Sequence, residues 1–188
     1  MKRPHDALRL DVAAFIADAE HLAGSWPGAS LQRLAELQSP LQDAPLPDVA
    51  WRAQGERRAI TGGEAELWLV LHVQAPVWMT CQRCLQPFSV SLVLDRRIRF
   101  VRGEAQAEAL DAEVEDDVLA LSRSLDLREL IEDELLLALP IVPRHDACPR
   151  PLPMALGSEP AAADPPDRPH PFAALQRLKP SPPDGEAG

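Results

Sequence analysis

The chain has 188 residues, of which 46% are hydrophobic and 26% are charged, which is enough for one domain with a substantial core. Its formal net charge is -10, which argues against a general polyanion-binding protein, whose usual mark is a basic surface. The negative charge is local, because twelve acidic residues and only two arginines lie between Glu104 and Glu134. In the rest of the chain, acidic and basic residues balance.

Cysteine usage and the absence of long apolar runs in the sequence indicate the compartment. Three cysteines are too few for a disulfide framework, and the odd count leaves one unpaired in any scheme. The first residues lack the apolar segment of a signal peptide, and the most apolar run, 135–142, is far shorter than the roughly 20 residues of a membrane helix. We therefore expect a soluble, cytoplasmic protein that does not enter a membrane.

Two helices are predicted near the start of the chain. Asp11 is a candidate N-cap for a helix that ends near Ala23, with apolar residues at helical spacing between them. Ser30 is a candidate N-cap for a shorter helix through Leu37, which the prolines from Pro40 onward end. Both helices are expected to cover a core.

The middle of the chain alternates as β-strands do. Every second residue between Glu64 and Gln74 is apolar, and the range 88–100 repeats this pattern with Arg96 as its exception. A strand around 49–53 and the Gly62-Gly63 pair predict a hairpin with the first of these strands. Because the run 88–100 is long for one strand, we expect a bend or bulge near residues 95–97.

An acidic stretch and a helix follow the strands. The residues from Gly103 to Asp117 include few large apolar side chains, so we expect a surface loop or a frayed helix there. A brief strand is predicted at 118–121. Asp126, with Glu129 three residues later, then predicts the capped start of an amphipathic helix that Pro140 ends.

Proline marks the end of the folded part, because thirteen of the twenty prolines lie from Pro140 onward. We predict an α+β domain at residues 1–148, in which an antiparallel β-sheet is packed with helices. A flexible Pro-rich linker is predicted at 149–169 and a tail at 170–188.

The tail contains one amphipathic pattern. Phe172, Leu175 and Leu178 lie three residues apart, which predicts one apolar face of a short docking helix. Isolated helices of this length are marginal in water, so the helix needs a partner surface and otherwise frays.

Four residues have the composition of a structural zinc site. Cys81 and Cys84 lie two residues apart between two predicted strands, where a tight turn can direct both thiolates inward. His145 and Cys148 repeat this spacing and would complete a Cys3His tetrahedron. The pattern is incomplete, because the second half is not a cysteine pair and Arg83 lies inside the first half.

Three other interpretations of the cysteines compete with a metal site. Free reduced thiols without a ligand are as compatible with the pattern as zinc. A redox pair is disfavoured, because such pairs normally open a helix and here a strand follows Cys84. Cys148 and His145 as nucleophile and base are also disfavoured, because a Pro-rich segment is a poor scaffold for catalysis.

Basic residues cluster on one predicted strand. Arg97 and Arg99 share one face of the run 88–100, where they are candidates for contact with RNA phosphates, since local potential governs such contacts. The competing interpretation is that these arginines neutralise the acidic stretch that follows or protect an edge strand. The sequence has no tandem aromatic motif for base stacking.

Three blocks of sequence stand out together, at Cys81 to Phe88, Ile131 to Asp146 and Pro171 to Leu175. In this order they resemble the YceD family of large ribosomal RNA subunit accumulation proteins. The resemblance implies a cytoplasmic bacterial protein, without established enzymatic activity, that is needed for normal levels of 23S ribosomal RNA. Many relatives carry a further cysteine group near Cys148, and its absence here weakens the case for tightly held zinc.

Three functional hypotheses follow, and the enzymatic one, a hydrolase or ribonuclease that depends on Cys148, is the least favoured, because the sequence contains no phosphate-binding glycine loop and no serine or metal hydrolase motif. In the first, the arginine-bearing strand contacts ribosomal RNA or a precursor of the large subunit. The acidic helix and the tail would bind a basic ribosomal protein, through Glu132, Asp133, Glu134, Phe172 and Leu175. In the second, the protein is an adaptor that contacts proteins only.

Overall fold

The computed structural model describes residues 4–39 and 46–149. Its elements in chain order are α1 (Val12–Ala17), β1 (His21–Trp26), α2 (Gln32–Glu36), β2 (Val49–Arg58), β3 (Glu66–Thr80), β4 (Pro87–Val101), α3 (Glu104–Asp111), β5 (Asp117–Ala120) and α4 (Leu127–Ala138). The predicted docking helix with Phe172 and Leu175, and nearly all of the predicted linker, lie outside the described residues. Those parts of the domain assignment stay predictions.

The strands form one sheet in the order β1-β2-β3-β4-β5. The first four strands are antiparallel, as predicted, whereas β5 pairs with β4 in parallel. A parallel neighbour requires a crossover connection, and α3 provides it between β4 and β5. The predicted α+β class is confirmed, and the sheet is mixed rather than purely antiparallel.

One face of the sheet packs against three helices, α1, α2 and α4. The largest contribution from α4 comes from Ile131 and Leu135, which are fully buried, and α1 contributes Phe15 and Ile16. Burying one side chain of this size stabilises a fold by about 1.5–3 kcal/mol. This layer is therefore the main core of the protein.

The opposite face of the sheet is largely open. Arg52, Asp95 and Arg97 are exposed on this face, because they alternate with core residues along their strands. α3 covers only one end of it, where a small second core forms around Val101 and Val118. We call the remainder the open face.

The first helix is shorter than predicted. Asp11 caps it as expected, and its carboxylate accepts a hydrogen bond from a backbone N–H of the first turn. The helix ends at Ala17, because Ala19 adopts the left-handed conformation with φ of 50° and turns the chain. Residues 21–26 pair with β2, so the prediction of a helix up to Ala23 is wrong.

The second helix forms where predicted, but it begins differently. α2 follows a 3₁₀ turn at Gly28–Ser30, and its N-cap residue is Leu31, without a side-chain cap. Ser30 is therefore not the cap; its hydroxyl donates to the Pro27 carbonyl at 2.7 Å. Leu31 and Leu34 are fully buried, so α2 covers the core as expected.

β3 and β4 form a long hairpin of two 15-residue strands. Their residue pairs run without interruption from Leu67 opposite Phe100 to Thr80 opposite Pro87, so β4 has no bulge near residues 95–97, where a bend or bulge was expected. β2 pairs with β3 only as far as Gln74, and the hairpin continues beyond this point as a two-stranded ribbon. Two-stranded ribbons twist more than wide sheets, which accommodates the length without an extra residue.

The other strand predictions are largely confirmed. β2 and β3 pair as the hairpin predicted on either side of Gly62-Gly63, and β2 is longer than the 49–53 segment. β5 confirms the brief strand expected near residue 118. The acidic stretch is a regular helix, α3, over eight of its residues, because the buried Ala107 packs it on the sheet. Of the two expected forms, a surface loop or a frayed helix, the structure has a helix on the surface.

α4 confirms the helix predicted after Asp126. The Asp126 carboxylate accepts hydrogen bonds from the N–H groups of Arg128 and Glu129, at 2.9 and 3.1 Å. The helix then runs for 12 residues with its apolar stripe toward the sheet. Neither α4 nor any other helix in residues 4–39 and 46–149 combines the length and apolar character that crossing a membrane requires.

Candidate functional site

Cys81 and Cys84 lie in the turn that joins β3 to β4, residues 81–86, which we call the knuckle. The Cys81 N–H donates to the Gln86 carbonyl, and the Leu85 N–H donates to the Cys81 carbonyl, each at 2.9 Å. Leu85 has a φ of 57°, the left-handed conformation that closes the turn in so few residues. Both cysteines are buried, so the knuckle directs their thiols inward as predicted.

The loop after α4 brings the second pair of residues to the knuckle. The Gln82 N–H donates to the Pro143 carbonyl at 2.9 Å, which fixes the loop beside the knuckle. The His145 ring packs against the Phe88 ring, with centroids 4.6 Å apart and planes inclined by 34°. Cys148 follows and is partly buried.

The four predicted ligands form one cluster, in which one ligand atom from each residue lies within 4.8 Å of the others. The Cys81 and Cys148 sulfurs are 3.8 Å apart, and Cys84 Sγ is 3.4 Å from His145 Nδ1. A tetrahedral zinc ion with bonds of about 2.3 Å to sulfur and about 2.0 Å to nitrogen requires separations of about 3.8 Å and about 3.5 Å. The cluster therefore has donors and distances that fit a metal ion.

The two buried thiols differ in their pKa values. Burial raises the pKa of the Cys81 thiol. Hydrogen bonds from the backbone N–H groups of His145, Cys84 and Arg83 outweigh burial and lower this pKa to about 5. Burial raises the pKa of the Cys84 thiol, and the neighbouring sulfurs raise it further. Cys81 is thus a thiolate at neutral pH, the form that binds metals.

Arg83 lies inside the cysteine pair and contacts the other half of the cluster. Its Nε donates to Cys148 Sγ at 2.9 Å. Its Nη2 donates to the carbonyls of His145 and Asp146, at 3.0 and 3.4 Å. The hydrogen bond to the sulfur raises the pKa of the guanidinium. The residue that made the sequence pattern incomplete therefore joins the two halves of the cluster.

The geometry also bears on the other interpretations of the cysteines. The Cys81–Cys148 sulfur distance of 3.8 Å is far longer than the roughly 2.05 Å of a disulfide. The knuckle joins two strands and does not open a helix, unlike a typical redox pair. His145 Nδ1 faces Cys84, and Cys148 Sγ accepts from Arg83. These contacts do not arrange His145 as a base for Cys148.

Arg97 and Arg99 lie on the open face, and each has an acidic partner on another strand of the sheet. Arg97 Nη2 is 3.6 Å from Glu56 Oε2, and Arg99 Nη2 is 3.0 Å from Glu66 Oε1. Their partners are therefore on β2 and β3 and not in the acidic stretch after β4. The Arg97 side chain is 53% exposed and that of Arg99 only 21%, so Arg97 is the more accessible of the two.

A buried tryptophan lies beneath these arginines and was not among the predicted site residues. Trp68 projects from the open face but is only 3% exposed, because the Arg58 guanidinium lies over its ring, 4.7 Å from the centroid. The indole N–H donates to Glu66 Oε2 at 2.9 Å. The alternation of β3 predicts that Trp68 lies on this face. Its burial was not predictable, because Arg58 comes to lie over the ring only when β2 pairs with β3.

Two of the three acidic α4 residues predicted for partner binding, Glu132 and Asp133, bind one arginine of α2. The Glu132 carboxylate is buried and accepts hydrogen bonds from Arg33 Nε and Nη2, both at 3.2 Å. It also accepts one from the Leu34 N–H at 3.1 Å. Asp133 forms a salt bridge with the same guanidinium and is half exposed. These contacts join α4 to α2.

The third acidic residue explains the exception in the β4 pattern. Arg96 stands on the core face of β4, and its Nε donates to Glu134 Oε2 at 2.7 Å. A charged residue is tolerated there because α4 provides a buried counter-charge. Contacts within the chain thus engage Glu132, Asp133 and Glu134, and binding of an outside partner by these residues stays a prediction.

Comparisons with known proteins agree with the resemblance. A family model described as "Large ribosomal RNA subunit accumulation protein YceD" matches residues 69–179. The protein of that name from Haemophilus influenzae is 30% identical over 125 residues, which cover 66% of this chain and 67% of that protein. No solved structure matches the chain. The matched segment includes the knuckle, the loop after α4 and α4 itself, and the chain belongs to the YceD family.

Proposed function

We propose that this protein is a non-enzymatic factor required for the accumulation of 23S ribosomal RNA, acting by contact during large-subunit biogenesis in the cytoplasm. The observation that carries the proposal is the family match over residues 69–179, whose description names accumulation of the large ribosomal RNA subunit and no reaction. The absence of a nucleophile–base pairing at Cys148 is consistent with it. Sedimentation of tagged protein from cell extract tests the proposal, which requires that the protein co-sediments with precursors of the large subunit.

The open face is the surface that we propose for RNA. Arg52 and Arg97 are exposed there, on two strands that flank β3. Two arginines exposed on the same face can contact phosphates along one strand of RNA. Glu56 and Asp95 lie on this face as well and reduce the local positive potential. The contact would therefore position RNA without reading its bases.

Replacing both Arg52 and Arg97 by Gln is expected to weaken binding to 23S ribosomal RNA about tenfold. Each lost phosphate contact also removes one released counterion, so the slope of log affinity against log salt should fall by about 1–2. Filter binding to transcribed 23S RNA over a range of salt concentrations measures both. Arg128→Gln on α4, behind the other face of the sheet, is the matched control and should change neither value.

The second candidate function is that of an adaptor that contacts proteins only and does not bind RNA. The acidic side chains of α3 and the residues after it, up to Asp117, form no salt bridge within the part of the chain that the structure describes. Such a surface is complementary to a basic ribosomal protein. Absence of RNA crosslinks to the wild-type protein in cells would favour this candidate over direct RNA contact, whereas unchanged crosslinking of the Arg52/Arg97 variant would show that RNA does not bind through these arginines.

We also propose that Cys81, Cys84, His145 and Cys148 hold a structural zinc ion. The support is the Cys3His donor set, with distances that match a tetrahedral site. Zinc bound there would fasten the loop after α4 to the knuckle. It would supply no chemistry beyond that structural link, since all four positions would be occupied by protein ligands.

Purified protein is expected to contain about one zinc ion per chain, and Cys81→Ser is expected to contain almost none, because a closed structural site needs its four ligands. Elemental analysis after gel filtration measures the content. Ser89→Ala, an exposed change on β4 near the knuckle, is the control and should keep its zinc. Equal zinc in the wild type and the Cys81 variant would contradict the site.

A further inference from the structure

We propose that Arg83 is a positioning residue of the metal centre, which holds Cys148 in place as a ligand and compensates the negative charge of the thiolates. This inference rests on the proposed zinc site. It is based on three hydrogen bonds that the Arg83 guanidinium donates, one to Cys148 Sγ and one each to the carbonyls of His145 and Asp146.

The first step concerns the loop. Residues 143–149 have no regular secondary structure, so the ladders of the sheet do not fix them. The hydrogen bond from Gln82 to Pro143 anchors the beginning of this loop, but Cys148 lies five residues further on. Ordering a free loop costs conformational entropy for each of its residues. Arg83 bonds to both carbonyls and to the sulfur, and it therefore orders the segment that carries the last ligand.

The second step concerns charge. Three thiolates and a neutral imidazole around a zinc ion leave one negative charge in excess. Two of the thiolates belong to buried cysteines, where solvent screens this charge poorly. The Arg83 guanidinium supplies the opposite charge at 2.9 Å from a sulfur, as a charge-assisted hydrogen bond. The net charge of the metal ion, its four ligands and Arg83 would then be zero.

The third step concerns residue type. Arginine presents several donors in a rigid planar fork, whereas lysine has one flexible ammonium group. One side chain must reach a sulfur and two carbonyls that lie in different directions, and the fork geometry meets this requirement. Lys at position 83 would retain the charge and lose most of the positioning.

Arg83→Gln is expected to weaken zinc binding about 10- to 100-fold, the usual effect of removing a partner of a metal ligand. Competition with a chromophoric zinc chelator measures the affinity. In zinc-free protein at pH 7, the variant is also expected to show slower alkylation of Cys148 by iodoacetamide, by about tenfold, because the guanidinium no longer stabilises the thiolate, which is the reactive form. Peptide mass spectrometry resolves Cys148 from the other two cysteines. Arg83→Lys should fall between the variant and the wild type in zinc affinity.

The matched control is Arg144→Gln, which removes an exposed arginine from the same loop and should leave both values unchanged. Far-UV circular dichroism verifies that each variant keeps the main fold. Wild-type affinity together with wild-type alkylation in Arg83→Gln would overturn the inference. If the wild type itself binds no zinc, the proposed metal site is wrong, and the alkylation rates in zinc-free protein still decide whether Arg83 positions Cys148.

Discussion

Glu132→Ala is expected to lower the free energy of unfolding by about 2–4 kcal/mol. Glu132 is only 8% exposed, and its carboxylate accepts three hydrogen bonds, two from Arg33 and one from the Leu34 N–H. Alanine leaves the buried N–H and a guanidinium without their acceptor. The loss is smaller than for a fully buried ion pair, because the Arg33 side chain is 48% exposed and regains water. Urea unfolding followed by circular dichroism measures the change.

Asp133→Ala provides the matched control on the same helix, since Asp133 binds the same arginine. Its side chain is 49% exposed, and exposed salt bridges contribute at most about 1 kcal/mol. Glu132→Gln should lie between the two, because the amide oxygen still accepts from the Leu34 N–H. Similar losses for Glu132→Ala and Asp133→Ala would show that burial of the carboxylate is not what matters.

Gly55→Ala is expected to destabilise the fold by about 1–3 kcal/mol, because a methyl group overpacks the contact between β2 and α1. A Cβ at position 55 would lie 2.8 Å from Ile16 Cα and 3.0 Å from the Phe15 carbonyl oxygen. Both are backbone atoms, so no side chain can rotate away, and α1 must move off the sheet. Thermal unfolding should show a lower midpoint.

Gly63→Ala is the control for this substitution. A Cβ there would have Ile60 as its nearest neighbour, at 3.9 Å, which is an ordinary contact. The expected change is within about 0.5 kcal/mol of the wild type, as for most surface substitutions. A loss at Gly63 equal to that at Gly55 would refute overpacking against α1 as the cause.

The long-range pairing of strands limited what could be predicted about the fold. Leu22 and Trp26 lie four residues apart, which fits one face of a helix and equally one face of a strand. The structure resolves this ambiguity by pairing residues 21–26 with β2, a partner more than twenty residues away. By contrast, α4 was predictable because its cap, its stripe and its terminating proline are all local.

In the site too, features set by nearby residues were predictable, and contacts between distant parts of the chain were not. The spacing of Cys81 and Cys84 predicted an inward-facing turn, and His145 and Cys148 do come to it. The contacts that organise the site were not predictable, since Arg83 gains its role only when a loop about 60 residues away is folded beside it. The acidic partners of Arg97 and Arg99 were likewise not predictable, because Glu56 and Glu66 come close to them only through strand register.

The ribbon of β3 and β4 beyond Gln74 has a mechanical consequence for whatever binds near its tip. Six residues of β3 extend past β2, a reach of about 20 Å. Such a two-stranded projection would bend easily, but α4 is attached to its base through Arg96 and Glu134, and the loop after α4 is attached to its tip. α4 and the loop after it therefore hold the ribbon at its base and at its tip. The tip is therefore preorganised, and a partner that bound there would not have to immobilise this part of the protein.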